Sequence, residues 1–178
     1  KNFFAINNIK SGTRLTSDLV KEELSHNRFL RDYVHKIRGI INQYGEYVPA
    51  KVEIEVSHHY GLDQVDKFGC CLINVVNRSY CKKLIIMTKG QEHPIQHHNV
   101  KEETFRILHG ELELNLDSKS TVLAKGDESL VRSGVKHSFK ANTDCIIEEL
   151  STTSIPEDSY YEDLNIKALR REDRKTIV

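Results

Sequence analysis

The chain has 178 residues and a mass of 20.5 kDa, enough for one well-filled domain or for one domain with a small appendage. Its 26 lysine and arginine residues balance its 26 aspartate and glutamate residues, so we expect no nucleic-acid partner. No apolar run reaches the roughly 20 residues of a membrane helix, and the N-terminus lacks a signal-peptide pattern. We therefore expect no membrane partner and a cytoplasmic protein.

The four cysteines, Cys70, Cys71, Cys81 and Cys145, have no C-x-x-C spacing. In a chain of this length they do not resemble a disulfide framework, so free buried thiols are predicted.

The first part of the chain favours a helix after a short irregular start. Residues 1–16 contain alternating apolar positions and a Ser11-Gly12 turn, which indicate a short strand and a loop. After Ser17, apolar residues recur at spacings of four and three, which is typical of an amphipathic helix; they are Leu30, Val34, Ile37, Ile41 and Tyr44. Gly45 is well placed to end that helix.

After Pro49 the apolar period drops to two, since Val52, Ile54 and Val56 alternate with charged residues. Six or more short strands follow, separated by Gly, Asn and Asp turns, with no helical pattern between them. This pattern predicts a mainly β sandwich or barrel. The polar tail, residues 155–178, is expected to be irregular with a helical end.

The segment "HPIQHHNVKEETFRILHG", residues 93–110, places polar side chains on alternating strand positions. Gln96 and His98 share one face of a predicted strand, and Glu103 shares a face with Phe105 and Ile107 on the next strand. If both faces are interior, a carboxylate lies in apolar surroundings. Such a carboxylate needs a compensating cation or donor, and a divalent metal ion would serve.

A further histidine, His137, lies on a later predicted strand beside Phe139. His98, Glu103 and His137 would form a two-histidine, one-carboxylate set, with Gln96 as a weaker fourth ligand. These ligands suit zinc, iron, manganese or nickel. The alternative is a hydrogen-bonded polar cluster, and a strand slip of one residue would replace His98 by His97.

Other polar residues keep two interpretations each. Glu148 and Glu149 lie on opposite faces of a predicted strand, so one points inward and either moves protons or pairs with a cation. His58 is either a core residue or part of a pocket wall. Lys101 and Lys136 flank the predicted site and either hold an anionic group or lie on the surface.

The remaining histidines of the segment, His93, His97 and His109, are expected to be solvated.

Two motifs resemble those of the cupin superfamily. The first reads here as Gly90, Gln96-x-His98, Glu103 and Gly110; the second reads as Gly126, Arg132-Ser133-Gly134 and His137. Gln96 stands where the commoner cupin has histidine, and Arg132 stands where it has proline. The resemblance implies a cupin jelly-roll barrel, also called a double-stranded β-helix, with a helical N-terminal segment.

A narrower resemblance is to the cupin extension at the C-terminus of N-acetylneuraminate (sialic acid) synthase-like proteins. The stretches "SHHYG", "NRSYCKKL" and "DSYYED" carry it, and Gln-x-His is an accepted form of the first motif in that group. It implies an N-terminal segment at 1–49, a barrel at 50–166 and a tail at 167–178. The synthase condensation belongs to a TIM barrel that this sequence does not contain, so we do not expect that reaction.

Two functions are therefore considered. The first is a metal-dependent aldose–ketose isomerase acting on a sugar or sugar acid, with Glu148 or Glu149 moving the proton. The second is a noncatalytic sugar-binding, regulatory or dimerising module of a parent synthase. An iron oxygenase also fits the ligand set, and a homodimer is expected under either of the first two hypotheses.

Overall fold

The computed structural model describes residues 17–50 and 52–178, with side chains described from residue 28 onward. The strand and loop expected over residues 1–16 lie outside this part. Helix α1, Ser17–Tyr44, confirms the predicted helix. Gly45 follows it with a φ of 69°, the left-handed conformation in which helices commonly end.

In the part of the chain that the structure describes, twelve strands form two antiparallel sheets, which confirms the predicted mainly β jelly-roll architecture. The seven-stranded sheet has the order β12-β1-β2-β3-β10-β5-β8, and the five-stranded sheet has the order β11-β4-β9-β6-β7. The strand bounds are β1 Glu53–Ser57, β2 Cys70–Asn77, β3 Tyr80–Met87, β4 Glu92–His97, β5 Glu103–His109, β6 Glu111–Leu116, β7 Lys119–Ala124, β8 Glu128–Val131, β9 His137–Ala141, β10 Cys145–Thr152, β11 Tyr160–Tyr161 and β12 Lys175–Ile177.

The inner faces of the two sheets enclose the main apolar core. Alternate residues of each strand point into it, as the period of two predicts; Phe105, Ile107, Leu114, Phe139 and Ile147 are all buried there. The polar residues of the site lie on these same inner faces.

A second core lies on the outer face of the seven-stranded sheet, where α1 packs. Tyr33 and Ile37 of the helix join Val56, Ile86 and Ile146 of the sheet in one buried cluster. The seven-stranded sheet is therefore covered on both faces, and β1 buries Glu55 inside as well as Val56 under the helix.

The C-terminal tail is more ordered than the sequence pattern indicated. β11 pairs with β4, and β12 pairs with β1, so the tail adds an edge strand to each sheet. Between them lie two short helices, α2 (Leu164–Lys167) and α3 (Arg171–Arg174). The expectation that the tail contains a helix is thus confirmed, whereas the expectation that the rest of the tail is irregular is wrong.

The four cysteines are buried and free, which confirms that prediction. Among the described residues, no helix combines the length and the apolar character that spanning a bilayer requires.

Candidate metal centre and its cavity

Two histidines and one glutamate meet on the inner face of the barrel. His98 directly follows β4, Glu103 begins β5 and His137 begins β9, and all three are buried. Their potential ligand atoms lie within 4.8 Å of one another. Nε2 of His137 is 3.1 Å from Oε1 of Glu103, and Nε2 of His98 is 3.6 Å from the same oxygen.

Backbone carbonyls orient both imidazole rings. Nδ1 of His98 donates to the carbonyl oxygen of Asp158, and Nδ1 of His137 donates to that of Val135 at 3.1 Å. When each ring carries its single proton on Nδ1, both Nε2 lone pairs face the carboxylate. Metal-binding histidines are usually held in this way.

Two of the three ligand atoms lack a hydrogen bond. Nε2 of His98 and Oε1 of Glu103 are buried without a hydrogen-bond partner among the described residues. Lone pairs that face one another in a buried site repel unless a cation lies between them. The residues therefore fit a divalent metal ion.

Gln96 lies on the same wall and is buried. Its Nε2 is 3.3 Å from Nε2 of His137, and a half-turn of the amide would present its oxygen there instead. The side chain is thus close enough to add a neutral fourth ligand.

Lys101 lies inside the site, so the interpretation that it is a surface residue is wrong. Its Nζ contacts Oε2 of Glu103 and lies 3.1 Å from Oε1 of Glu149. Burial would lower the pKa of Lys101, but Glu149 and Glu103 outweigh it and raise that pKa, so the ammonium group stays charged. Burial would raise the pKa of Glu103, but Lys101 and the two imidazoles hold it well below its usual range.

The two candidate proton carriers on β10 lie on opposite faces, as their parity requires. Glu149 is buried, lines the cavity and contacts Lys101 and Lys83, the latter at 3.5 Å. Glu148 lies on the outer face in an ion pair with Lys82 at 2.6 Å, outside the cavity lining.

A cavity of about 310 Å³ opens beside the histidine–glutamate cluster. Its volume is at the lower end of the range of small-molecule sites. Several residues that line it were not predicted from the sequence, namely His93, Glu55, Arg171 and Lys175.

The expectation that His93 is solvated is wrong. The ring is buried and stacks on Phe139 with a centroid distance of 4.6 Å. The pairing of β4 with β9 shifts register between His93 and Gln96, and such a bulge turns His93 to the same side as Gln96. Burial, and next His59, lower the pKa of His93 well below its usual range.

The other histidines named from the sequence lie outside the cluster. His97 is half-buried and stacks on Tyr160 at 5.3 Å, so His98 and not His97 lies with Glu103. His109 stacks on Tyr44 and pairs with Glu46 at 2.8 Å, so the expectation of a solvated side chain is wrong for it too.

His58 and Lys136 both contact residues of the C-terminal tail. His58 is buried outside the cavity lining, with Nε2 2.9 Å from Oγ1 of Thr176. Lys136 is on the surface and donates to Glu162 at 2.9 Å.

Comparisons with known proteins agree with this fold. Residues 83–151 match the family model of the cupin domain. L-ribose isomerase from Acinetobacter sp. DL28, solved in complex with L-ribose, superposes with a TM-score of 0.66 at 14% identity, over 79% of this chain and 94% of that chain. A mutant of that enzyme, also with L-ribose, gives a TM-score of 0.67 at 13% identity, over 83% and 94% of the two chains.

KdgF from Halomonas sp. matches with a TM-score of 0.47 and 14% identity, over 49% of this chain and 83% of that chain. No curated protein matches the sequence significantly. These comparisons give no link to sialic acid synthase, so the narrower resemblance stays a prediction. The chain thus has the cupin fold that its motifs predict, built around a buried cluster of two histidines and one glutamate.

Proposed function

We propose that this chain is a metal-dependent sugar isomerase that interconverts an aldose and a ketose. The observation that carries the proposal is the pair of buried atoms, Nε2 of His98 and Oε1 of Glu103, that lack hydrogen-bond partners among the described residues. His98, Glu103 and His137 would hold a divalent ion, with Gln96 as a fourth ligand. Zinc, manganese, iron and nickel all suit this set.

Such an ion supplies a Lewis acid that polarises a carbonyl oxygen and acidifies the adjacent C–H bond. Glu149 would take the proton from C2 of the aldose and return it to C1, while the hydroxyl proton of O2 passes to O1. The two sugars are isomers, so no further reactant is needed. Lys101 and Lys83 balance the charge of Glu149 and fix its position at the cavity wall.

The likeness to L-ribose isomerase supports a sugar as the ligand. That enzyme was solved with L-ribose and matches this chain over most of both lengths. At 13–14% identity the likeness concerns the fold, so the particular sugar has to come from experiment.

Metal analysis of protein purified without a histidine tag tests the first half of the proposal. We expect close to one divalent ion per chain in the wild type, and a loss of binding by at least tenfold in His98→Ala and Glu103→Gln. His97→Ala is the matched control, because His97 is adjacent but lies outside the cluster. Wild-type protein that takes up no zinc, manganese, iron or nickel would contradict the proposal.

Deuterium exchange tests the second half. Metal-loaded protein incubated with a panel of aldoses in deuterated water should incorporate deuterium as it isomerises its substrate. Glu149→Gln should abolish exchange while keeping the metal, whereas Glu148→Gln, on the outer face, should keep both. No exchange with any aldose would end the isomerase proposal.

A second candidate is a noncatalytic sugar-binding module of a larger synthase. The ion pairs of Glu149 with Lys101 and Lys83 favour it, because they also suit a purely structural carboxylate. Sugar binding without exchange would support this module. Its link to a sialic acid synthase, its dimerisation and its cytoplasmic location stay predictions.

A further inference from the structure

The cavity extends well beyond the metal centre, along a polar row on the inner face of the seven-stranded sheet. Strand pairing places Glu149 opposite Lys83, Lys83 opposite Asn74, and Asn74 opposite Glu53. The side chains of the row reach inward and bring its two ends close together, since Lys83 pairs with Glu149 at 3.5 Å and also acts electrostatically on Glu55 and Lys175. Glu103 of the candidate metal centre lies beyond one end of the row, on β5.

Two cations from the C-terminal tail lie at the opposite end. Arg171 and Lys175 line the cavity, and both contact the buried carboxylate of Glu55. Nζ of Lys175 lies 2.6 Å from Oε1 of Glu55, and the guanidinium group of Arg171 donates to Oε2. Both carboxylate oxygens of Glu55 therefore have a cationic partner. The single negative charge of this buried carboxylate is therefore shared between two cations.

Both cations keep donors for another acceptor. An ammonium group has three N–H donors and a guanidinium group has five. Burial lowers the pKa of Lys175 although Glu55 opposes this effect, which indicates that its charge is not fully compensated. Glu53 also lines this end, but it is exposed and accepts from Asn74 at 2.9 Å.

The charge of the whole lining leads to the same conclusion, and this step rests on the proposed metal. Four acidic side chains line the cavity, and they are matched by four basic ones: Lys83, Lys101, Arg171 and Lys175. A divalent ion would therefore leave an excess of two positive charges in a largely buried site. A neutral sugar leaves that excess uncompensated, whereas an anionic ligand reduces it.

We propose that the cavity binds a sugar that carries an anionic group, a carboxylate or a phosphate, and that Arg171 and Lys175 bind this group. The side chain of Arg171 is 42% exposed, so it reaches solvent as well as Glu55, as a group at a cavity mouth should. Its planar fork suits the paired oxygens of either anion. The reacting end of the sugar then lies towards the metal centre.

Binding of matched sugars tests this subsite. Titration calorimetry would compare ribose and glucose with their uronate or aldonate and their phosphate derivatives, on metal-free and manganese-loaded protein. We expect at least one anionic derivative to bind about tenfold or more tightly than its neutral parent, as charge-assisted hydrogen bonds imply. The two kinds of derivative distinguish a carboxylate from a phosphate.

The variant Arg171→Gln should remove this preference, with and without metal. Arg170→Gln is the matched control, because Arg170 is an exposed neighbour that pairs with Asp173 and does not line the cavity. Lys175→Met is a second variant, and we expect it to weaken the binding of anionic sugars more than the binding of neutral sugars. Circular dichroism of each variant checks its fold.

The subsite is overturned if no anionic derivative binds more tightly than its parent, or if Arg171→Gln and Arg170→Gln behave alike. An Arg171-dependent preference in protein that binds no metal, or that shows no deuterium exchange, would support the subsite while contradicting the isomerase proposal.

Discussion

At the scale of single residues, Asp158 connects the tail to the candidate metal centre. Its carboxylate accepts the backbone N–H groups of Asn99 and Lys101, each at 2.8 Å, and that of Val100. Its carbonyl oxygen accepts Nδ1 of His98. One residue thus holds the loop that presents Lys101 and fixes the tautomer of His98. Burial would raise the pKa of Asp158, but these N–H groups outweigh it and lower that pKa.

Asp158 should therefore be a positioning residue for the metal. Asp158→Ala keeps the carbonyl group that orients His98 but removes the carboxylate that holds the loop after it. Zinc or manganese binding is therefore expected to weaken about tenfold, the lower end of the range found when groups that position metal ligands are removed. Titration calorimetry measures the change. The control is Asp163→Ala, on the same tail, which removes the cap of α2 and costs about 1 kcal/mol without contacting the site. Equal metal affinity in the two variants would show that the contacts of Asp158 serve stability alone.

The alternation of inward and outward residues along the strands predicted one part of this candidate site but not its loop residues. Gln96, Glu103 and His137 were predicted because each lies at a regular position of a strand, and His98 because it directly follows β4 and keeps the alternation of Gln96. Lys101 and Asp158 lie in loops, where side-chain direction follows no period, and their roles depend on contacts between residues 57 positions apart. No local pattern carries that information.

At the scale of elements, the start and the pairing of β4 explain the error on His93. Its position before Pro94 indicated a turn, but β4 begins at Glu92 and includes His93. Parity predicted which residues of β5 and β9 point inward, because these strands run without interruption past the site. β4 contains a bulge, so His93 and Gln96 both face the interior although an odd number of positions separates them. A bulge arises from pairing with a distant strand, and the sequence of β4 alone does not show it.

The turn at Gly110, which joins β5 to β6, gives a prediction at this scale. Gly110 has a φ of 84°, and a Cβ there would overlap the carbonyl oxygen of Asp144. Gly126 has a similar φ of 95°, but a Cβ there would meet nothing within 4 Å. A comparison of alanine substitutions at the two glycines therefore separates the free-energy cost of backbone strain from that of steric overlap.

Gly126→Ala should cost about 1 kcal/mol, the strain of a left-handed alanine. Gly110→Ala should cost about 3 kcal/mol or more, because the backbone of Asp144 must also move. Urea denaturation of both variants measures the difference. Similar losses in the two variants would mean that the chain relaxes around Gly110 and that the overlap is unimportant.

At the scale of the whole molecule, the seven-stranded sheet separates two cores. Its inner face carries the site and its outer face packs against α1. The amphipathic pattern of α1 predicted the face of the helix that packs inward but not each buried residue: Ile37 is buried as predicted, whereas the buried Tyr33 and Ile40 were not predicted. The pattern also gave no indication of the sheet on which this face packs. The strands of the tail were harder to predict, because β12 has only three residues and forms by pairing with the distant strand β1.

Because both cores share one sheet, we expect the helix and the barrel to unfold together. Ile37 is 3% exposed in the outer core, so Ile37→Ala should cost about 2–5 kcal/mol. Alanine favours a helix, so this loss would come from packing. Helical circular dichroism and tyrosine fluorescence should shift to the same lower urea midpoint, whereas Arg38→Ala, at an exposed position, should change stability by no more than about 0.5 kcal/mol. A barrel signal that keeps its wild-type midpoint while the helical signal falls would mean that α1 is dispensable. The inner face, with its candidate metal centre, would then be stable without the outer core.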